Sequence, residues 1–152
     1  MVNVPLNSLL SYRLNLLSES AAKIVSRVYE REVDLTLREL RVLRTVGSFP
    51  GIAPTEMVER VLFEKSLASR VLSGLVKKSY LNRELDPTDA RRLALVLTKK
   101  GTAILRKADE LGLAMNQTWL SALTPAEQKG LDVNLEKLMA GLANLAERFD
   151  AR

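Results

Sequence analysis

The stretch ELDPTDARRLALVLTKKG, residues 84–101, decides how the rest of the chain is read. Its Asp86-Pro87-Thr88-Asp89 core is rich in turn formers. Two adjacent cations follow, Arg91 and Arg92, and then Leu93, Leu95 and Leu97 alternate with Ala94 and Val96. Such alternation is a strand signal. Leu81 to Leu85 also looks extended, so Leu81–Leu85 and Arg92–Leu97 are expected to form an antiparallel hairpin around the turn. Thr98 then caps a long helix carrying Ile104, Ala108, Leu111, Met115 and Trp119.

Upstream of the hairpin the period is helical. Leu6, Leu9, Leu10, Leu14, Leu17, Ala21, Ile24 and Val28 recur at threes and fours, giving a first helix from Leu6 to about Tyr29, with Pro5 suited to its first position. Thr36 and Glu39 make a capping box, and Leu35 with Leu40 a hydrophobic staple. The second helix therefore starts at Thr36, turns Leu40, Leu43 and Val46 to a core, and is expected to stop at Gly47 and Pro50-Gly51. A short third helix runs from Pro54 to Val61 with Met57, Val58 and Val61 inward. After a turn at Leu62-Phe63, a fourth helix runs from about Glu64 to Lys78 with Leu67, Val71 and Leu75 inward. Two helices joined by so short a turn must cross steeply, which is helix-turn-helix geometry.

Downstream, Thr124, Pro125 and Glu127 break and restart the chain as cap, first helical residue and capping-box partner. The last helix carries Leu131, Leu135, Leu138, Leu142, Leu145 and Phe149 at alternating steps of four and three, an a/d seam. That seam needs a partner, either the first helix of the same chain or the same helices of a second chain. The expected fold is mainly α with a small β-hairpin wing: a winged helix-turn-helix over residues 34–101, flanked by helical arms over 1–33 and 102–152.

Composition narrows the function. Hydrophobic residues make up 47% and charged residues 27%, which suits a globular chain with a real core. No apolar run spans a bilayer and the N-terminus lacks the order of a signal peptide, so the cytoplasm is the expected compartment, with no membrane partner. Cysteine and histidine are both absent. Disulfides, thiolate chemistry, the Ser-His-Asp triad and the commonest transition-metal ligands are thereby excluded, and no enzyme, metal site or cofactor is expected. The net charge is +5. From Arg60 to Lys107 there are 12 basic and 4 acidic residues, a net of +8, so the remainder carries 11 basic and 14 acidic. A concentrated cation on an otherwise acidic chain suits a polyanion, nucleic acid before an anionic membrane.

On the fourth helix, Lys65, Ser66, Ser69, Arg70 and Ser73 share the face opposite the apolar positions. Small hydroxyls allow close approach to a groove, serine can donate or accept at base edges, and Arg or Lys can reach guanine or phosphate. On an isolated helix such a face would be read as plain solvated surface. The hairpin and the cation cluster that follow turn the reading toward DNA. Arg91 and Arg92 at the hairpin's far edge suit a minor groove, whose negative potential deepens where it narrows. Lys77, Lys78, Arg83 and Lys99 are less specific candidates for phosphates.

Three local patterns give a family resemblance. Ser69-Arg70 followed by Leu75 resembles the recognition-helix pattern of the MarR family of bacterial transcription regulators. Asp86-Pro87-Thr88-Asp89-Ala90-Arg91-Arg92 resembles its Asp-x-Arg wing, and Leu97-Thr98-Lys99-Lys100-Gly101 resembles the Leu-Thr-x-x-Gly that opens its fifth helix. The resemblance covers nearly the whole chain. It departs at Leu62 and Ser79, where the family has glycine, and at Glu64, a poorer cap than the usual Asp or Ser. A left-handed non-glycine residue costs about 1 kcal/mol.

The resemblance implies a homodimer built from the first, fifth and sixth helices and a palindromic double-stranded operator. It implies that Asp89 orients Arg91. It also implies a small, often aromatic anionic effector bound between the DNA-binding lobe and the dimer helices. Tyr12, Arg13 and Arg44 could hold such an anion, while Met115 and Trp119 read first as plain core. The function expected is a sequence-specific DNA-binding regulator, a repressor relieved by that ligand. The alternative is a helical protein-interaction module on the same scaffold, since fold alone does not fix function.

Overall fold

A computed structural model describes residues 4–85 and 92–150. The expected hairpin tip, including Asp89 and Arg91, lies outside the described residues. The chain divides into two compact units, Met1–Gly112 and Leu113–Arg152.

The first unit opens with a single 3-10 turn, Leu6–Ser8, capped by Pro5. Leu9 is extended, with ψ of 124°, and this separates the turn from helix α1, Leu10–Val33. Pro5 is therefore the cap of a short turn and not the first residue of the long helix. Helix α1 continues four residues past Tyr29, because Tyr29 and Val33 are both buried on one face. It ends at Asp34, which takes a left-handed conformation with φ of 52°.

Helix α2, Leu37–Ser48, starts at the expected capping box. Thr36 Oγ1 accepts from the Glu39 amide at 3.2 Å, and the Thr36 amide donates to Glu39 Oε2 at 2.9 Å. Leu35 and Leu40, the expected staple, are both buried. Gly47 lies inside the helix and does not stop it. A Cβ there would stand 2.9 Å from Leu105 Cδ2 and 3.3 Å from Leu97 Cδ1, so this glycine admits close packing. The helix ends at Phe49, and Gly51, with φ of 83°, begins the next contact. Its amide donates to the Leu95 carbonyl at 3.1 Å while the Leu95 amide donates to the Ile52 carbonyl at 3.0 Å. Two residues facing one across this pair of bonds is the pattern of a glycine bulge.

Helices α3, Pro54–Val61, and α4, Lys65–Lys77, follow. Strands β1, Leu81–Leu85, and β2, Leu93–Leu97, pair antiparallel with Leu81 opposite Leu97, Arg83 opposite Leu95 and Leu85 opposite Leu93. Arg92 precedes the second strand instead of starting it. The core of this unit is made by Leu40, Val42, Leu43 and Val46 of α2, Met57 and Val61 of α3, Ala68, Leu72 and Leu75 of α4, and Leu81 and Leu95 of the hairpin, all buried. Burying one such leucine contributes about 1.5–3 kcal/mol.

Helix α5, Lys99–Leu120, is capped by Thr98, whose Oγ1 accepts from the Gly101 amide at 2.9 Å and donates to the Ser79 carbonyl at 2.7 Å. A Cβ on Gly101 would collide with the Tyr80 carbonyl oxygen, which explains the glycine of the Leu-Thr-x-x-Gly pattern physically.

In the second unit, helix α6, Pro125–Asp150, opens at the expected box of Thr124 and Glu127. Hydrogen bonds from the Thr124 side chain and backbone hold the Glu127 carboxyl below its ordinary pKa. The seam residues Leu131, Leu135, Leu138, Leu142, Leu145 and Phe149 are all exposed on this chain, from 38% to 66%. Trp119 is exposed as well and Met115 only half-buried, so the reading of Trp119 as plain core does not hold within one chain. Among the described residues no helix is long and apolar enough to cross a membrane.

Candidate nucleic-acid interface

Helix α4 has two distinct sides. Ala68, Leu72 and Leu75 are buried, while Lys65, Ser66, Ser69, Arg70, Ser73 and Lys77 are exposed. The buried register differs by one residue from the expectation: Leu67 and Val71 are half-buried at its margin, and Ala68 and Leu72 take the centre. The small Ala68 lets α4 lie close to the core, which pushes the bulkier Leu67 and Val71 to the flank. The polar face survives the change, since residues three and four apart remain neighbours on it.

Both ends of α4 are set by left-handed residues that are not glycine. Leu62 takes φ of 55° and Ser79 takes φ of 59°. Leu62 is also 85% exposed, so no burial of its side chain offsets the conformation. Glu64 is the N-cap and makes no side-chain capping bond. The first amides of α4 thus have no side-chain cap from the residue that precedes them.

Seven of the twelve cations of the basic segment fall into two groups. Lys78 Nζ donates to the Asp34 carbonyl at 2.9 Å and pairs with Glu39 at 3.1 Å and Asp34 at 3.5 Å. Burial opposes its charge, but the hydrogen bond and charge of Glu39 and the charge of Asp34 outweigh it and raise its pKa. Lys100 Nζ donates to the Lys78 carbonyl at 3.0 Å and lies 4.9 Å from the Tyr80 ring centre. Lys107 Nζ donates to the Glu32 carbonyl at 2.8 Å. These three lysines cap the carbonyl ends of α1 and α4, where cations are favoured. Lys78 is therefore engaged as a structural clasp between the end of α4, the end of α1 and the start of α2. Lys65, Arg70, Lys77 and Lys99 stay exposed and make no ion pair with any described residue.

Arg92 at the base of the wing pairs with Glu56 of α3 at 3.2 Å, a contact that sequence reasoning missed because the partners are 36 residues apart. Arg83 of β1 places Nη2 3.5 Å from Ser73 Oγ of α4. The candidate DNA contacts Lys65, Ser66, Ser69, Arg70, Ser73 and Lys77 are thus brought to one face, with Arg83 beside it.

The candidate ligand residues are not brought together within one chain. Arg44 of α2 donates to Asp109 of α5 at 2.8 Å and to the buried Tyr29 hydroxyl of α1 at 3.4 Å. Burial opposes its charge, and the bonds to Asp109 and Tyr29 more than offset this and raise its pKa. A Cβ on Gly112 would stand 2.5 Å from the Tyr29 hydroxyl, so that glycine makes room for the node. Tyr12 and Arg13 lie on the same helix as Tyr29 but some five turns earlier, about 25 Å away at 1.5 Å per residue.

The family model described as MarR family matches residues 33–92. The transcriptional regulator HosA of Escherichia coli O157:H7 is 30% identical over 106 residues, which cover 70% of this chain and 78% of that protein. The chain belongs to the MarR family. The crystal structure of the PcaV transcriptional regulator of Streptomyces coelicolor, in complex with its natural ligand, superposes with a TM-score of 0.72 at 26% identity, covering 94% of this chain and 99% of that one. The MepR–DNA complex of Staphylococcus aureus superposes at 0.74 over 88% and 96% of the two chains, and at 21% identity this likeness concerns the fold alone. As a MarR-family member the chain is a DNA-binding transcriptional regulator on a winged helix-turn-helix, not an enzyme.

Proposed function

We propose that this MarR-family chain is a repressor that binds a palindromic operator as a homodimer and is released by a small aromatic anion. The observation that carries the reading is the two-sided α4. Its core side is closed by Ala68, Leu72 and Leu75, and its outer side offers only small hydroxyls and cations. In this reading Ser66, Ser69 and Arg70 meet base edges, and Lys65, Ser73 and Lys77 flank them. Arg91, oriented by Asp89, enters the minor groove, and Arg92 steadies the base of the wing through Glu56.

Residues 34–101 form the reading lobe, and 1–33 with 102–152 form the dimer arms. The exposed apolar stripes of α1 (Leu10, Leu14, Leu17, Ile24) and of α6 (Leu131 to Phe149) support a second copy as their partner. Exposed apolar area on this scale marks an interface. Two-fold symmetry would set the two α4 helices about 34 Å apart, one turn of DNA. Arg44 is the effector-side cation. Tyr12 and Arg13, too far along α1 to reach it in one chain, would meet it only from the second copy. PcaV, crystallised with its natural ligand, supports an effector in this family.

The test is fluorescence anisotropy of labelled DNA from the protein's own locus, titrated across a salt series with wild type and Arg91→Ala. Wild type should bind with strong salt dependence, and Arg91→Ala should lose affinity with an unchanged melting curve. Salt-independent binding, or none, would sink the reading; an unchanged Arg91→Ala would remove the wing's role.

A further inference from the structure

The hairpin ladder contains one residue that its own alternation does not explain. Residues two apart on a strand share a face, and directly paired residues share it across the ladder. The face of Leu81 therefore also carries Leu97, Arg83, Leu95, Leu85 and Leu93. Leu81 and Leu95 on it are fully buried. Every member of that row is leucine except Arg83, where the pattern calls for another apolar residue. The row faces the core at Leu81 and Leu95 and is exposed at Leu85 and Leu93, so a cation directly opposite the buried Leu95, with no gain for packing, breaks a local rule and points to function. The Arg83 guanidinium does not turn into the core: it is exposed, and its Nη2 stands 3.5 Å from Ser73 Oγ. Ser73 in turn is flanked on the exposed side of α4 by Arg70, one turn before it, and Lys77, one turn after it.

We infer that Arg83 is a DNA-contacting residue that binds a backbone phosphate at the edge of the groove entered by α4, with Ser73 as its positioning residue. This rests on the DNA-binding reading of α4 given above. The choice of phosphate over base follows from placement. A cation delivered from a strand beside the helix, and not from the helix itself, lies toward the rim of the groove, where the sugar-phosphate backbone runs. The 3.5 Å separation from Ser73 is at the limit of a hydrogen bond, so it orients the guanidinium without holding it back from a charged acceptor. Ser73, which flanks the base-reading residues, then acts on the DNA mainly through Arg83.

The test compares wild type, Arg83→Leu, Arg83→Lys, Arg83→Gln and Ser73→Ala on labelled DNA from the protein's own locus, with melting curves for each. Arg83→Leu restores the apolar row, so its melting temperature should equal or exceed that of wild type. Its binding should be weaker by about tenfold or more, and the slope of log affinity against log salt should flatten by about 0.9 per copy, or about 1.8 for a dimer. Arg83→Lys should keep the slope, and Ser73→Ala should weaken binding without changing it. Wild-type affinity and slope in Arg83→Leu would overturn the assignment, as would a lowered melting temperature with DNA binding intact. Should Arg83→Leu fail to fold, Arg83→Gln gives the same decision, flattened slope for and unchanged slope against. If wild type itself shows no salt-dependent binding, the α4 reading falls and the Arg83 assignment falls with it; if wild type binds and Arg83→Leu or Arg83→Gln tracks it, only the Arg83 assignment falls.

Discussion

Lys77 and Lys78 are adjacent lysines with opposite expected roles, so replacing each by alanine separates charge used for DNA from charge used for folding. Lys78 bonds the Asp34 carbonyl at 2.9 Å and Glu39 at 3.1 Å, joining the end of α4 to the end of α1 and the start of α2. A hydrogen bond to a charged group is worth about 1.5–3 kcal/mol when desolvated. Lys78 is a third exposed, and solvent screening reduces this, so Lys78→Ala should cost about 1–2 kcal/mol. For a chain of this size that lowers Tm by roughly 3–6 °C. Lys77→Ala, on the exposed face, should change stability by less than about 0.5 kcal/mol. On DNA the order reverses. Lys77→Ala should flatten the salt slope by about 1.8 for a dimer, and Lys78→Ala should leave it unchanged. The assays are thermal melts and anisotropy titrations on the same samples. A flattened slope in Lys78→Ala, or an unaltered Tm, would refute the division of the cations.

The same residue makes a pH prediction. The folded-state pKa of Lys78 is raised above the ordinary 10.5. Its contribution is therefore complete below about pH 10.5, where the unfolded chain is also protonated, and is lost as pH rises through the raised folded value. The stability gap between wild type and Lys78→Ala should be constant through neutral pH and close only at strongly alkaline pH.

Three further outcomes can be checked in parallel. Gly101→Ala should cost about 1–3 kcal/mol or prevent folding, because its Cβ meets the Tyr80 backbone and not a movable side chain; wild-type Tm would contradict this. Leu62→Gly should raise stability by up to about 1 kcal/mol, since it relieves a left-handed leucine that is 85% exposed and so loses almost no packing; a fall in Tm would show that Leu62 is held by something else. Leu138→Glu, in the middle of the α6 seam, should convert a dimer to monomer by sedimentation, and a dimer of unchanged affinity would place the interface elsewhere.

The parts of the fold that were legible in the sequence are those fixed by local chemistry. Thr36 with Glu39 and Thr124 with Glu127 announced two helix starts, because a capping box is closed by residues three apart. The alternation from Leu93 to Leu97 announced the second strand. The αL strain at Leu62 and Ser79 was visible as a departure from glycine at two helix ends. What was not legible depends on residues far apart in the chain. Gly47 looks like a helix stop until Leu97 and Leu105 are seen packed against it. Lys78, Lys100 and Lys107 look like DNA-binding charge until the carbonyls they cap are in place. Glu56, Asp109 and Tyr29 carried no local signal, since their partners lie 36, 65 and 15 residues away. Arg83 did carry one: it interrupts a leucine row, and that becomes informative once the strand register is known.

The salt dependence of wild-type binding tests the DNA-reading face most directly. Per copy, Lys65, Arg70, Lys77, Arg83 and Lys99 are the described cations that face outward, with Arg91 added by the proposed reading of the wing, while Lys78, Lys100 and Lys107 cap helix ends. A dimer in which half or more of the outward set meets phosphates should show a slope of log affinity against log salt steeper than about −5 on DNA from its own locus. A slope near zero, measured on folded dimer, would contradict the assignment of α4 and the wing to DNA.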